Sequence, residues 1–88
     1  MASRRRRQHP GEEVRAFSHR LHKAYRDLNS KHVEEGIAPM HDRMLRDQFI
    51  SQLENALVRN VLRERTHQDS ATTFLKIREE AIRWSEDR

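Results

Sequence analysis

Six histidines are the residues of this sequence best suited to hold a metal or move a proton. His19 and His22 stand three apart, and His41 follows much later. No HExxH pattern accompanies them, and no carboxylate completes a facial triad at readable spacing. With no cysteine, neither a thiolate zinc site nor a disulfide can form within the chain. A serine nucleophile needs a strained elbow or an adjacent base, and no Gly-flanked serine is present. A phosphate loop needs clustered glycines, whereas Gly11 and Gly36 are 25 residues apart. The histidines therefore read as solvated surface residues, and the expectation is a protein that is not an enzyme and uses no cofactor or metal.

A different chemistry is written in "QHPGEEVRAFSHRL", Gln8 to Leu21. Gln8 precedes a helix and can hydrogen-bond across its entry turn. Glu12 and Arg20 are eight residues apart, about two helical turns, so they project from one side. Together the three can tie the entering chain to the helix through charge-assisted bonds. Phe17 and Leu21, at i and i+4, anchor the apolar stripe beneath them.

Four helices are expected to position these groups. The first spans about Glu12–Asn29, with Val14, Phe17, Leu21, Ala24, Tyr25 and Leu28 at three-four spacing. Glu12 and Glu13 are expected in its first turn, where the helix dipole favours acids, and Asn29 and Ser30 at its end. A polar connection over residues 30–38 contains Gly36, and Pro39 suits the first turn of a second helix. That helix carries Met40, Met44, Leu45, Phe49, Ile50 and Leu53, apolar on more than one face; Leu45, Phe49 and Leu53 form the stripe for the core. Asn55 is an expected N-cap for a third helix with Ala56, Leu57, Val58, Val61 and Leu62. "THQDS" reads as a loop, with Asp69 or Ser70 capping a fourth helix on which Phe74, Ile77, Ala81 and Trp84 follow the helical period, flanked by Leu75 and Ile82. Strand-like β-branched alternation is absent, so the fold class is all-α.

Eighty-eight residues make one small domain. At 34% hydrophobic against 36% charged, it folds with a thin margin or shares apolar surface with a partner. The net charge of +4 belongs entirely to Arg4, Arg5, Arg6 and Arg7, because removing them leaves 14 basic against 14 acidic residues. Residues 1–7 are thus expected to be a disordered basic arm. It could touch nucleic-acid phosphates through those four arginines, although no aromatic interleaves them as a single-strand binder would want. No apolar run reaches membrane-span length and no signal-peptide core is present, so the cytosol or nucleus is expected and no membrane partner.

Written as Gln8-x3-Glu12-x4-Phe17-x2-Arg20-Leu21, the opening stretch resembles the major homology region of retroviral and retrotransposon Gag capsid proteins. All five key positions match, and His9-Pro10-Gly11 is similar to the variant of Ty3/Gypsy-type elements and their domesticated relatives. "RMLRDQFISQLENALVRNVLRER" and "TFLKIREEAIRWSED" resemble the later helices of the same domains, so the resemblance covers residues 8–87. It implies a compact four-helix, capsid C-terminal-domain-like bundle over residues 8–88, related to SCAN modules. In the full protein it implies a capsid lobe before this domain and a zinc knuckle after it.

The implied function is self-association: a homodimer that builds into the lattice of a virus-like particle. In the family the second helix makes the two-fold contact, which nominates Met44, Leu45, Gln48 and Ser51. An exposed methionine flanked by short polar residues suits an isologous patch. The alternatives are a SCAN-type dimerisation module of a transcription factor and a small basic nucleic-acid-binding domain.

Overall fold

The structure, a computed structural model, describes residues 7–37 and 41–86. Among them every regular element is helical: α1 Val14–Glu34, α2 Asp42–Ser51, α3 Ala56–Gln68 and α4 Phe74–Glu86. None is long and apolar enough to cross a membrane. Helices α2 and α4 each pack against the other three, whereas α1 and α3 do not pack on each other. On α4, Phe74, Ile77 and Ala81 are all at most 1% exposed.

The core follows the helical period. Val14, Phe17, Leu21 and Tyr25 of α1 meet Leu45, Phe49 and Ile50 of α2, Val58 and Leu62 of α3, and the α4 stripe, with Leu53 of the α2–α3 connection. Three phenylalanines from three helices form its centre. Phe17 stacks on Phe49 at 5.5 Å, and Phe49 meets Phe74 edge-on at 5.5 Å. Such pairs add about 0.5–1.5 kcal/mol each beyond their buried area.

Several expectations need correction. Helix α1 does not end at Asn29 and Ser30 but continues to Glu34. The stop is Gly36, at φ +77°: its N–H donates to the Val33 carbonyl and the Ile37 N–H to the His32 carbonyl, a Schellman closure. Asn and Ser weaken a helix by only tenths of a kcal/mol, too little to end one. Ala24 is exposed and Leu28 half-buried, so the core stripe of α1 is narrower than the sequence spacing suggests. Glu12 and Glu13 do not occupy the first turn either: Glu13 is the N-cap residue and Glu12 precedes it.

Asn55 caps α3 as expected, its Oδ1 accepting from the Leu57 and Val58 N–H groups. Asp69 and Ser70 do not cap α4. Asp69 closes its own turn by accepting from Ala71 N–H. Thr73 and Asp42 serve α4 instead, with Thr73 Oγ1 accepting from Lys76 N–H and Asp42 Oδ2 from Phe74 N–H. Trp84 is 50% exposed and stands outside the core, although the next residue, Ser85, is half-buried. Pro39, Met40 and Arg4 to Arg6 lie outside the described residues.

Candidate functional site: the entry turn of α1 and the outer face of α2

The chain enters α1 through a tight turn whose residues are individually accounted for. Glu12 N–H donates to the His9 carbonyl at 2.9 Å, and Gly11 sits at φ +82°. Pro10 in the second position and a left-handed glycine in the third are what a type II turn requires. The His9-Pro10-Gly11 sequence is therefore a turn in its own right, and it presents Gln8 and Glu12 to the fold.

Gln8 is half-buried and makes three bonds. Its Nε2 donates to the Glu12 carbonyl at 2.7 Å, its Oε1 accepts from Glu54 N–H at 2.9 Å, and its own N–H donates to the Gln52 carbonyl at 3.1 Å. Gln8 thus joins the entry turn to the α2–α3 connection, forty-odd residues away in sequence.

Arg20 approaches Glu12 as a fork. Its Nε donates to Oε2 at 3.1 Å and its Nη2 to Oε1 at 3.0 Å, while Oε1 also accepts from His9 N–H. The guanidinium lies over the Phe17 ring, 5.4 Å from its centroid, and Nη2 also donates to the Arg7 carbonyl. The bonded Arg20 beside it holds the Glu12 carboxyl below the usual carboxylate range, against an opposing push from burial, and His9 N–H adds in the same direction. The five motif positions therefore come together: Phe17 and Leu21 in the core, Gln8, Glu12 and Arg20 in one bonded network around the turn. The arrangement ties the entry of α1 to the helix and to the α2–α3 connection.

The residues nominated on α2 divide. Leu45 is 7% exposed and belongs to the core, as the Leu45–Phe49–Leu53 stripe predicts. Met44 is 50% exposed, and Gln48 and Ser51 are half-buried. These three line one side of a shallow groove of about 630 Å³, whose other side is Arg63, Thr66 and His67 of α3. Met44, Gln48 and Ser51 are thus open to the surface, whereas Leu45, nominated with them, is enclosed in the core. Arg7 is exposed at the start of the described chain.

Two buried polar residues escaped the reading of the sequence. Arg46 is 4% exposed, yet its Nη1 donates to the carbonyls of Ser70 and Thr72 and its Nε to Asp47. It fastens α2 to the α3–α4 loop. Ser18 is fully enclosed between Arg78, whose Nε donates to its hydroxyl, and the Arg15 carbonyl, to which it donates. The partners that hold them inside are remote, Ser70 and Thr72 lying 24 and 26 positions from Arg46 and Arg78 lying 60 from Ser18.

The histidines are not uniformly solvated, which corrects that expectation. His22 and His32 are half-buried, and the His22 ring lies 5.3 Å from that of Phe74. Burial lowers the His22 pKa from its ordinary value; the cations Arg26 and Arg78 lower it further, and Asp42 opposes them. Among the described residues, no group of three or more His, Asp or Glu side chains is placed to hold a metal ion.

No family model, no curated protein and no solved structure matches this chain.

Proposed function

We propose that the chain is the C-terminal domain of a Gag-like capsid protein, from a Ty3/Gypsy-type retroelement or a host protein derived from one, and that it acts by self-association in particle assembly. The observation that carries this reading is the bonded network of Gln8, Glu12 and Arg20 around the type II turn, with Phe17 and Leu21 in the core. These are the positions of the resembled motif, and they act together as one unit rather than as separate surface charges. The motif in the entry turn and first helix, with three more helices after it as in that family, supports the capsid-like bundle as the finer description of the fold.

The half-exposed Met44, beside Gln48 and Ser51, is the contact surface in this reading. A weak two-fold contact suffices there, because many copies in one shell convert it into strong assembly through multivalency. The domain binds its own kind, turns over no substrate and needs no cofactor; its setting is a virus-like particle in the cytosol or nucleus.

Sedimentation equilibrium on the wild type and on Met44→Ala, over a wide concentration range, tests the reading. The expected result is a concentration-dependent dimer that the substitution weakens. A tight dimer indifferent to Met44 points to a swapped, SCAN-like arrangement, and a strict monomer overturns self-association through this domain.

A further inference from the structure

Met44 and Ser51 stand seven residues apart on α2, about 20° short of two full turns, and so lie on one line along its outer face. Met44 is large and 50% exposed. Ser51 is short and half-buried, and its hydroxyl donates back to the Gln48 carbonyl. The outer face of α2 thus carries a large side chain at one end and a small one at the other. Asp47 and Gln48 lie between them, and together these residues border the groove of about 630 Å³ whose far wall is Arg63, Thr66 and His67 of α3.

The two walls of this groove are opposite in charge. The Asp47 side chain is 57% exposed; its Oδ1 accepts from Arg46, and its Oδ2 carries no bond among the described residues. Arg63, on the α3 wall, is exposed and enters no ion pair among the described residues. The other arginine of the groove, Arg46, is buried and held by the Ser70 and Thr72 carbonyls.

One open acid facing one open base gives no excess of either sign to draw in a nucleic acid or an acidic peptide. The groove is no trough for the apolar face of a foreign helix either. Ile50 at its floor is 2% exposed, and Met44 is the one large exposed hydrophobe of α2. A partner that fits must bring one large apolar side chain, a small one two turns away, an acid and a base. A second copy of this chain brings all four.

Resting on self-association through α2, we propose that two copies pair end over end, with Met44 of each seated at the α2–α3 groove of the other. A two-fold contact repeats every pairing with the roles exchanged. Running the two α2 helices in opposite directions lays Met44 of one copy over Ser51 of the second copy, large on small at both ends. The same rotation keeps α3 on one flank of the pair, so that Arg63 of each copy faces Asp47 of the other. Arg63 is therefore an interface residue, and the two Asp47–Arg63 pairs set the register in which methionine meets serine.

The test is sedimentation equilibrium at about 50 and 500 mM salt, with circular dichroism as the control for folding. The proteins compared are the wild type, Met44→Ala, Arg63→Glu, Arg63→Gln and the exchanged variant Met44→Ser/Ser51→Met. Arg63→Glu is expected to weaken the dimer about tenfold at low salt, since it turns two attractions into two repulsions. Arg63→Gln is expected to remove most of the loss of affinity that salt causes in the wild type. The exchanged variant, which again sets methionine over serine, is expected to dimerise more tightly than Met44→Ala. Should it lose helicity, the two substitutions at the exposed Arg63 carry the test. A dimer that Met44→Ala weakens but Arg63→Glu leaves unchanged overturns this pairing and leaves the α2 contact standing. So does a folded exchanged variant as weak as Met44→Ala. A strict monomer, or a tight dimer indifferent to Met44, overturns the α2 contact and this pairing with it.

Discussion

Arg20 holds Glu12 with two nitrogens, Nε on Oε2 and Nη2 on Oε1, at 3.1 and 3.0 Å. One residue belongs to the second turn of α1 and the other to the turn before the helix begins, so the fork fixes the direction from which the chain enters. The Glu12 side chain is only 16% exposed, which keeps water from competing for those oxygens.

Removing half of this pair should cost more than losing a surface ion pair. Glu12→Gln leaves the part-buried guanidinium without its carboxylate, with an expected loss of about 1.5–3 kcal/mol. Arg20→Lys keeps the charge but not the fork, and should lose most of the same amount. Urea denaturation of both single variants and the double variant measures it. Additive losses would contradict a coupled pair.

The acid dependence of stability has two parts with the same sign. The pKa of Glu12 is lowered by folding, so its contribution is present above its unfolded value of 4.5 and is lost as the pH falls through the folded value. The pKa of His22 is also lowered, because burial against Phe74 disfavours the cation. Unfolding therefore takes up a proton, and stability falls as the pH drops below 6.5. Thermal midpoints measured from pH 8 to pH 3 should show a first decline that His22→Gln removes and a later one that Glu12→Gln removes. A wild-type midpoint that stays flat between pH 7 and pH 5.5 would refute the His22 part.

Arg46 is a buried cation whose partners include the backbone carbonyls of Ser70 and Thr72. Arg46→Met fills much of the same space but leaves the Ser70 and Thr72 carbonyls without these bonds, and should lower stability by about 2–3 kcal/mol. In a domain of this size that is a large share of the total. The urea midpoint should fall with its slope unchanged; an unaltered midpoint would mean that water serves those carbonyls equally well.

Asn55→Ala removes the acceptor for two N–H groups at the start of α3 and should cost about 1 kcal/mol. Asn55→Asp keeps that acceptor and should retain the wild-type midpoint in the same thermal melt.

Period and punctuation in the sequence were enough for the all-α class, the number of helices and most of the core. Burial of a helical stripe repeats every three or four residues, so Phe17, Leu21, Phe49, Leu62, Phe74 and Ile77 are recognisable without knowing their partners. The same locality made the Gln8–Glu12–Arg20 trio legible, since the turn brings the three within one another's reach. Helix ends were less legible where the cap is remote. Gly36 stops α1 by a local Schellman closure, but α4 begins where it does partly because Asp42, on another helix, accepts from Phe74 N–H.

What the tertiary structure alone decided is the fate of the polar groups and the far ends of the helices. Arg46 and Ser18 are interior because carbonyls and a guanidinium from distant segments meet them there. Gln8 ties the α1 entry to the α2–α3 connection through atoms of Gln52 and Glu54, and Trp84 is half-exposed although it keeps the core period. Apolar burial is non-directional and shows in composition and spacing. A buried hydrogen bond needs one particular partner at one distance and angle, and only the assembled chain supplies it.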